Sequence, residues 1–461
     1  MNIFTKLKSF ILPVIFISTI LSAQTISEKL DNREKQKLIH EVSNLVRANY
    51  VFSDLGEKYG QEILEVFESG KFDEINDPKE FGDSVTTVLH NLTKDKHFYF
   101  RLVEKSDLGE DEQGSLHHPV RFYSFGKKEH LGIFRLDWIE NEIGYMDYRR
   151  FYYQSEAKEE LLNAMNFLSS ANAIIIDLRE NQGGTGRLIP LLCSYFLPYP
   201  TQLTGTFYKV ENITEEWWTL EKVEGKRLLD VPLFILISNK TFSAAEYLAY
   251  DLKVRQRATL IGEPTKGGAH SVDLFPVGDS FEIYIPTSRA INPVTGSNWE
   301  GTGVIPDVNV PSETALDTAI VLAKIAAEEY GKKKDAEMMK IINKMQKQLD
   351  RAELLFKNDK DTDAVACLDS AFQTGSQTDV LNEFFIDVLA YYYSSNKLNK
   401  MSIEILKKQI ELFPESSNAY ESLAWEYYKQ DKKKLAKKYF LIVLDLDKNN
   451  SFAKEILKRL E

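Results

Sequence analysis

The sequence predicts an α/β protein in three parts: an N-terminal helical bundle, an α/β core and a C-terminal all-α repeat region. Three observations predict it. Apolar residues recur with a helical period between residues ~25 and 95. From Phe98 onward, short β-rich runs alternate with helical stretches. Near the C-terminus, Leu389-Ala390…Tyr393 returns 34 residues later as Leu423-Ala424…Tyr427. The chain has 461 residues, enough for about three domains at roughly 150 residues each.

The first residues read as a leader rather than as part of the fold. Lys6 and Lys8 form a positive n-region, Phe10 to Leu21 an apolar stretch too short to span a bilayer, and Leu21-Ser-Ala23 a cleavage site. Residues 1–23 are thus expected to be a signal peptide, which implies a secreted or periplasmic protein with no stable membrane span in its mature form. Losing the two lysines would take the net charge from −12 to −14. Acidity of that size argues against nucleic acid, which needs a basic footprint. Hydrophobic residues make up 43% and charged residues 27%, an ordinary balance for a chain with a real core. Cys193 and Cys367, the two cysteines, fall in different parts and read as free thiols.

Residues 24–97 carry three helical stripes. The first runs through Leu38, Ile39, Val42, Leu45, Val46 and Tyr50; the second through Tyr59, Ile63, Leu64 and Phe67; the third through Phe81, Val85, Val88 and Leu89. In the core, residues 98–330, strands are expected over Phe98–Val103, Leu131–Leu136, Ile143–Tyr148, Ala173–Asp177, Leu233–Ile237, Thr259–Ile261 and Phe281–Ile285. Helices are expected over Ala157–Ser169, Leu188–Phe196, Ala244–Val254 and Thr314–Tyr330. Asp107–Gly114 reads as an acidic loop. A Lys/Asp-rich junction, Gly331–Asp335, opens the region 331–461. There the 34-residue recurrence, with Pro414, Ala436 and Phe440, resembles tetratricopeptide repeats, helical hairpins that stack to bury a core. A weaker copy lies around Leu355–Phe372, and Phe452–Leu460 reads as a capping helix. Such repeats imply a protein partner.

The chemistry centres on Ser243. The apolar run Leu233–Ile237 stops at a polar turn, and Ser243-Ala-Ala-Glu246 opens a helix. A hydroxyl there meets free N–H groups and the positive end of the helix dipole, which can receive a developing oxyanion. Three other segments could complete a site. Asp95-Lys96-His97 ends the helical part and offers a general base. Asp177-Leu-Arg179-Glu-Asn181-Gln-Gly183-Gly184 follows a strand and exposes backbone N–H groups; it lacks the Gly-Lys-Ser/Thr ending of a phosphate loop. Asn298-Trp299-Glu300-Gly-Thr-Gly303 holds one carboxylate in a glycine-rich turn. His270 is the alternative base. Glu246 and Arg179 read as structural, Trp217-Trp218 as mostly core. His117-His118 has no partner at metal-ligand spacing, and neither metal nor cofactor is expected.

Asp-Leu-Arg-x-Asn-x-Gly-Gly, Ser-Ala-Ala-Glu and Gly-Glu-Pro-Thr (Gly262–Thr265), in that order, resemble the S41 peptidases. That family includes the tail-specific proteases, the tricorn core and the interphotoreceptor retinoid-binding proteins. The resemblance covers residues 30–310 and implies a ClpP/crotonase-like core. In the tail-specific branch a lysine lies 25 residues after the serine; here that position is Gly268, and Lys266 stands two residues early. The tricorn-like branch implies instead a Ser243–His97–Glu300 site, with Ala244 and Gly183 or Gly184 as oxyanion donors. Lys96 stands where that branch has a serine. The resemblance implies a polypeptide substrate and an exported serine endopeptidase. The alternatives are a non-catalytic carrier of apolar ligands on the same scaffold, or a scaffold whose repeats recruit a protein partner.

Overall fold

A computed structural model describes residues 29–103, 126–140, 142–376, 378 and 380–461. The expected leader, the acidic loop Asp107–Gly114 and His117-His118 lie outside the described residues. The chain divides into two compact units, one ending at Ala327 and one spanning Glu328–Glu461.

The first unit opens with α1 (Asn32–Asn49), α2 (Ser53–Glu68) and α3 (Pro78–Thr93). Asp31 caps α1 in a reciprocal box with Glu34, and Asp77 caps α3 ahead of Pro78, so each start is written in the sequence. The apolar stripes do not close on one another as a separate bundle. Ile39, Val42, Val46, Ile63, Phe81, Val85 and Leu89 share one core with Phe98, Phe100, Val277, Phe281, Ile283 and Ile285. Those partners belong to an antiparallel sheet, so the helices form its cover.

That sheet runs in the order β1 (Tyr99–Leu102), β10 (Phe281–Ile291), β5 (Gln202–Tyr208), β6 (Ile213–Trp218), with β9 (His270–Val277) also paired to β10. A second sheet runs β11 (Val308–Asn309), β8 (Thr259–Gly262), β7 (Leu233–Ile237), β4 (Ala173–Asp177), β3 (Ile143–Tyr148), β2 (Ile133–Ile139). It is parallel except for the β2–β3 edge. Every residue of β4 and β7 is buried, as parallel strands covered on both faces require. The helices α4 (Gln154–Leu168), α5 (Ile189–Phe196) and α6 (Ala244–Val254) connect these strands. One face is covered by Ala315, Ala319, Ala323 and Ala327 of α7 (Ser312–Lys357), packed on Ile143, Tyr145, Ile175, Phe234, Leu236 and Ile261.

The structure departs from the sequence reading in four places. β2 begins at Ile133, because Leu131 and Gly132 form a positive-φ turn. β5, β6, β9 and β11 were not expected; β6 is an edge strand whose residues are mostly exposed. Trp218 is exposed rather than core. The junction Gly331–Asp335 is helical, inside α7; its lysines are good helix formers, and Glu328 and Lys332 pair one turn apart.

The second unit continues with α8 (Asp361–Gly375), α9 (Glu383–Ser395), α10 (Asn399–Leu412), α11 (Ser417–Lys429), α12 (Lys433–Leu446) and α13 (Ser451–Arg459). The α9–α10 and α11–α12 hairpins begin 34 residues apart in both helices, Glu383 to Ser417 and Asn399 to Lys433. The recurring Ala390, Tyr393, Leu423, Ala424, Tyr427, Ala436 and Phe440 lie in one core.

Candidate active site

Ser243 stands on a sharp turn between β7 and α6, with φ 54° and ψ −117°. Few non-glycine residues adopt such a backbone, and its cost is of order 1–3 kcal/mol. The turn is held from several sides. Thr241 Oγ1 donates to the Leu178 carbonyl at 2.8 Å, and the Phe242 N–H to the Asn181 carbonyl at 3.0 Å. The Ser243 N–H donates to Glu246 Oε2 at 2.8 Å. Glu246 is fully buried and also accepts from Thr265 Oγ1 at 2.5 Å and from the N–H groups of Gly267 and Gly268 at 2.6 and 2.9 Å. Burial pushes its carboxyl up, against the pull of those donors. Its structural reading is thus supported by four donors from two segments.

The glycine-rich segment lies against this turn. A Cβ at Gly183 would fall 2.8 Å from the Ser243 Cβ and 2.8 Å from the Phe242 carbonyl oxygen, and its φ of 94° also requires glycine. The Gly183 N–H is already given to Asn181 Oδ1 at 2.8 Å. That narrows the expected oxyanion donors: Gly183 is engaged, whereas no hydrogen bond from the Gly184 or Ala244 N–H is formed among the described residues. Arg179 grips Asp177, with Nη2 to Oδ2 at 2.6 Å, and reaches the Ser312 carbonyl at 2.7 Å, a structural role.

His97 follows the end of α3, where Lys94 takes a left-handed cap. Its N–H donates to Asp95 Oδ1 at 3.0 Å, and its ring stacks on Phe242, the neighbour of Ser243, at 4.5 Å. Both ring nitrogens are buried and neither makes a hydrogen bond. A Cβ at Gly268 would lie 2.5 Å from His97 Cε1 and 2.2 Å from the Phe242 ring. Lys266 is exposed, with Nζ 4.7 Å from the Phe242 ring centroid. A lysine base needs a desolvated amine, and this side chain lies at the surface.

Glu300 sits in the expected turn. Its Oε2 accepts the Ala269 N–H at 2.6 Å and lies 3.6 Å from His270 Nδ1, while Oε1 is buried without a partner. Burial and the neighbouring Asp95 raise its carboxyl above the usual range. His270 opens β9, 5% exposed, and its Nδ1 meets Asp95 Oδ2 at 2.6 Å. Burial alone would pull His270 down, but the bond to Asp95 and the two carboxylates raise it. Conversely, burial would raise Asp95, and the two histidines hold it well below the usual range. Ligand atoms of Asp95, His270 and Glu300 lie within 4.8 Å of one another. Asp95 Oδ2 and His270 Nδ1 already bond to each other there, so a cation would have to part them. Asp95 is the site-forming residue that sequence reading missed. Its only local signal is its place two residues before His97, where an Asp side chain can bond the backbone.

A cavity of about 180 Å³ opens beside this cluster, with Gly184, Thr204, Trp217, Ser243, Gly268 and His270 among its walls. Ser243, the Gly184 turn and the Gly268–His270 segment therefore meet around one space, while His97 lies behind Gly268.

Comparison with known proteins matches residues 142–310 to peptidase family S41 and residues 20–126 to the N-terminal domain of Peptidase_S41 in eukaryotic IRBP. A carboxyl-terminal-processing protease of Picosynechococcus sp. is 29% identical over 174 residues, covering 37% of this chain and 40% of the relative. One from Synechocystis sp. is 31% identical over 168 residues, covering 36% and 37%. The matched segments thus span about two fifths of these relatives' length. Among solved structures, a putative peptidase from Parabacteroides merdae aligns at 17% identity and TM-score 0.44, over 64% of this chain and 96% of that one. The tricorn protease aligns at 12% and 0.41, over 65% and 37%. The two family matches follow one another along the chain, and on that ground residues 142–310, which contain the Ser243 turn, form a peptidase family S41 domain preceded by the N-terminal domain that accompanies it in IRBP.

Proposed function

We propose that this chain is an exported serine endopeptidase in which Ser243 is the nucleophile and His97 its general base. Ser243 Oγ attacks a peptide carbonyl carbon, and His97 takes the hydroxyl proton. The N–H groups of Ala244 and Gly184 receive the oxyanion, Ala244 with the help of the α6 dipole. His97 then protonates the leaving amine, and a water repeats the sequence on the acyl-enzyme. Glu300 acts through the Ala269 amide and the charges around His270.

The observation that carries this reading is the strained Ser243 turn, packed on Gly183 and flanked through Phe242 by the His97 ring. A strained serine at a helix start, facing unbonded N–H groups, is costly for a plain cap and useful for a nucleophile. Gly268 supports a histidine base over a lysine one, because a side chain there would begin where the His97 ring sits. Export rests on the leader-like residues Lys6–Ala23, and the 34-residue hairpin offset supports reading the second unit as partner-binding tetratricopeptide repeats.

The test is hydrolysis of an unfolded polypeptide by the wild-type chain, by Ser243→Ala and by His97→Ala. Ser243→Ala should reduce turnover by about 10³-fold or more, and abolish labelling by a serine-directed phosphonate. Wild-type turnover by Ser243→Ala would exclude the assignment.

A further inference from the structure

Asp95 carries more of the site than any motif suggests. Its Oδ1 holds the His97 backbone N–H at 3.0 Å and lies 3.7 Å from His97 Nδ1. Its Oδ2 holds His270 Nδ1 at 2.6 Å, a short charge-assisted bond. One carboxylate, 2% exposed, thus stands between two imidazoles. Glu300 contacts only one side of this group: its Oε2 lies 3.6 Å from His270 Nδ1 and is bonded to the Ala269 amide. Among the described residues, Asp95 is the one carboxylate within 4 Å of a His97 ring nitrogen, and its Oδ1 stands one small closure away from a hydrogen bond to Nδ1. A buried ion pair does not add stability by default, since desolvation offsets most of the attraction. That one is kept in the wall of the Ser243 cavity calls for a role in the chemistry.

We propose that Asp95 is the carboxylate that positions His97 for proton transfer, and that His270, clamped to the other oxygen of the same carboxylate, is a second positioning histidine that sets how much negative charge Asp95 presents to the base. This rests on the reading of Ser243 and His97 as nucleophile and base. When substrate binding closes the 3.7 Å gap to a hydrogen bond, Asp95 keeps one tautomer and one ring orientation of His97 and stabilises the imidazolium that forms when Ser243 is deprotonated. His270 shares that carboxylate, so a protonated His270 weakens the stabilisation and a neutral donor there restores it. The other groups facing the cluster are Tyr50 from the end of α1, Glu300 from the turn after β10, and Arg289, which lies opposite His270 on β10. Burial and then Asp95 push the Tyr50 phenol upward, so it stays neutral. The bond to Asp95 raises His270 against the pull of burial.

The experiment measures kcat/KM against pH for the full chain and for Asp95→Asn, His270→Asn and His97→Ala. Asp95→Asn should lose at least about tenfold and move the acidic limb to lower pH, because the imidazolium loses its counter-charge. His270→Asn keeps a donor near the Nδ1 position and removes the second positive charge. It should lower the plateau less than Asp95→Asn does and move the acidic limb to higher pH, by roughly half a unit or more. A merely structural His270 would lower the plateau and leave the limb in place. Unmoved limbs, or limbs moved in the same direction, overturn the proposal. Full activity of His97→Ala with loss in His270→Asn overturns it too, by making His270 the base. Loss of both Ser243 and His97 dependence would instead sink the underlying assignment, which separates the two failures. A second measurement needs no substitution in the cluster. In Ser243→Ala, imidazole NMR signals of His97 and His270 should each show an inflection at the other's titration; two independent curves overturn the proposal.

Discussion

At position 268 a single methyl group separates two chemistries. Gly268 leaves room for the His97 ring, and a Cβ there would meet His97 Cε1 at 2.5 Å and the Phe242 ring at 2.2 Å. Gly268→Ala should therefore displace His97 or Phe242 while leaving both sheets intact. The expected result is a fall in kcat/KM of at least about tenfold with a far-UV CD spectrum unchanged, since small misplacements of a base are costly. A lysine at 268 would begin in the same space, against the His97 and Phe242 rings. The turns that carry Ser243, Gly183 and Glu300 were legible in the sequence because each has turn chemistry of its own; the roles proposed for these residues await the Ser243→Ala and His97→Ala tests. Asp95 with His270 was not legible as a pair: 175 positions separate them, and only the pairing of β9 with β10 and the docking of α3 bring them together. The engagement of the Gly183 N–H by Asn181 was equally invisible, since Gly183 and Gly184 differ only in which way each amide points.

Among the elements, strands buried on both faces were read closely and edge strands were missed. β4 and β7 are unbroken apolar runs, and Ala173–Asp177 and Leu233–Ile237 form as expected. β6 carries Glu215 and Glu216 on a largely exposed edge, and β9 contains Pro276, so neither shows the alternation that marks a strand. α7 was expected to break near Gly331 and instead runs through it. Its alanines make a flat strip that lets the helix lie close on the parallel sheet. Ala319→Leu would force an extra side chain into that contact, where Ala319 has no exposed surface. Urea unfolding should show a loss of about 1–3 kcal/mol, the usual cost of overpacking. The same change at the exposed Val321 should be nearly neutral.

For the whole molecule, the Asp95 cluster ties stability to pH. Asp95 is held below its unfolded value, so its contribution is present above that value and is lost as pH falls through the lowered folded one. His270 is held above its unfolded value, so its contribution is complete below that value and is lost as pH rises through the raised one. Both contributions are full only between roughly pH 4 and 6.5, the unfolded Asp and His values. The melting temperature should therefore be highest in mildly acidic buffer and decline as pH rises past neutrality. In His270→Asn that decline should flatten, and differential scanning calorimetry across pH 4–9 reads both slopes. The docking of α1–α3 onto the antiparallel sheet has a further consequence. The turn that carries Asp95 and His97 is fixed by that docking, while Ser243 is fixed by the parallel sheet. On the proposed assignment, a chain with its first helices undone would hold Ser243 without His97 beside it. With that assignment, turnover would register only molecules whose helices α1–α3 are docked, so packing of the first helices would act as the final step of site assembly.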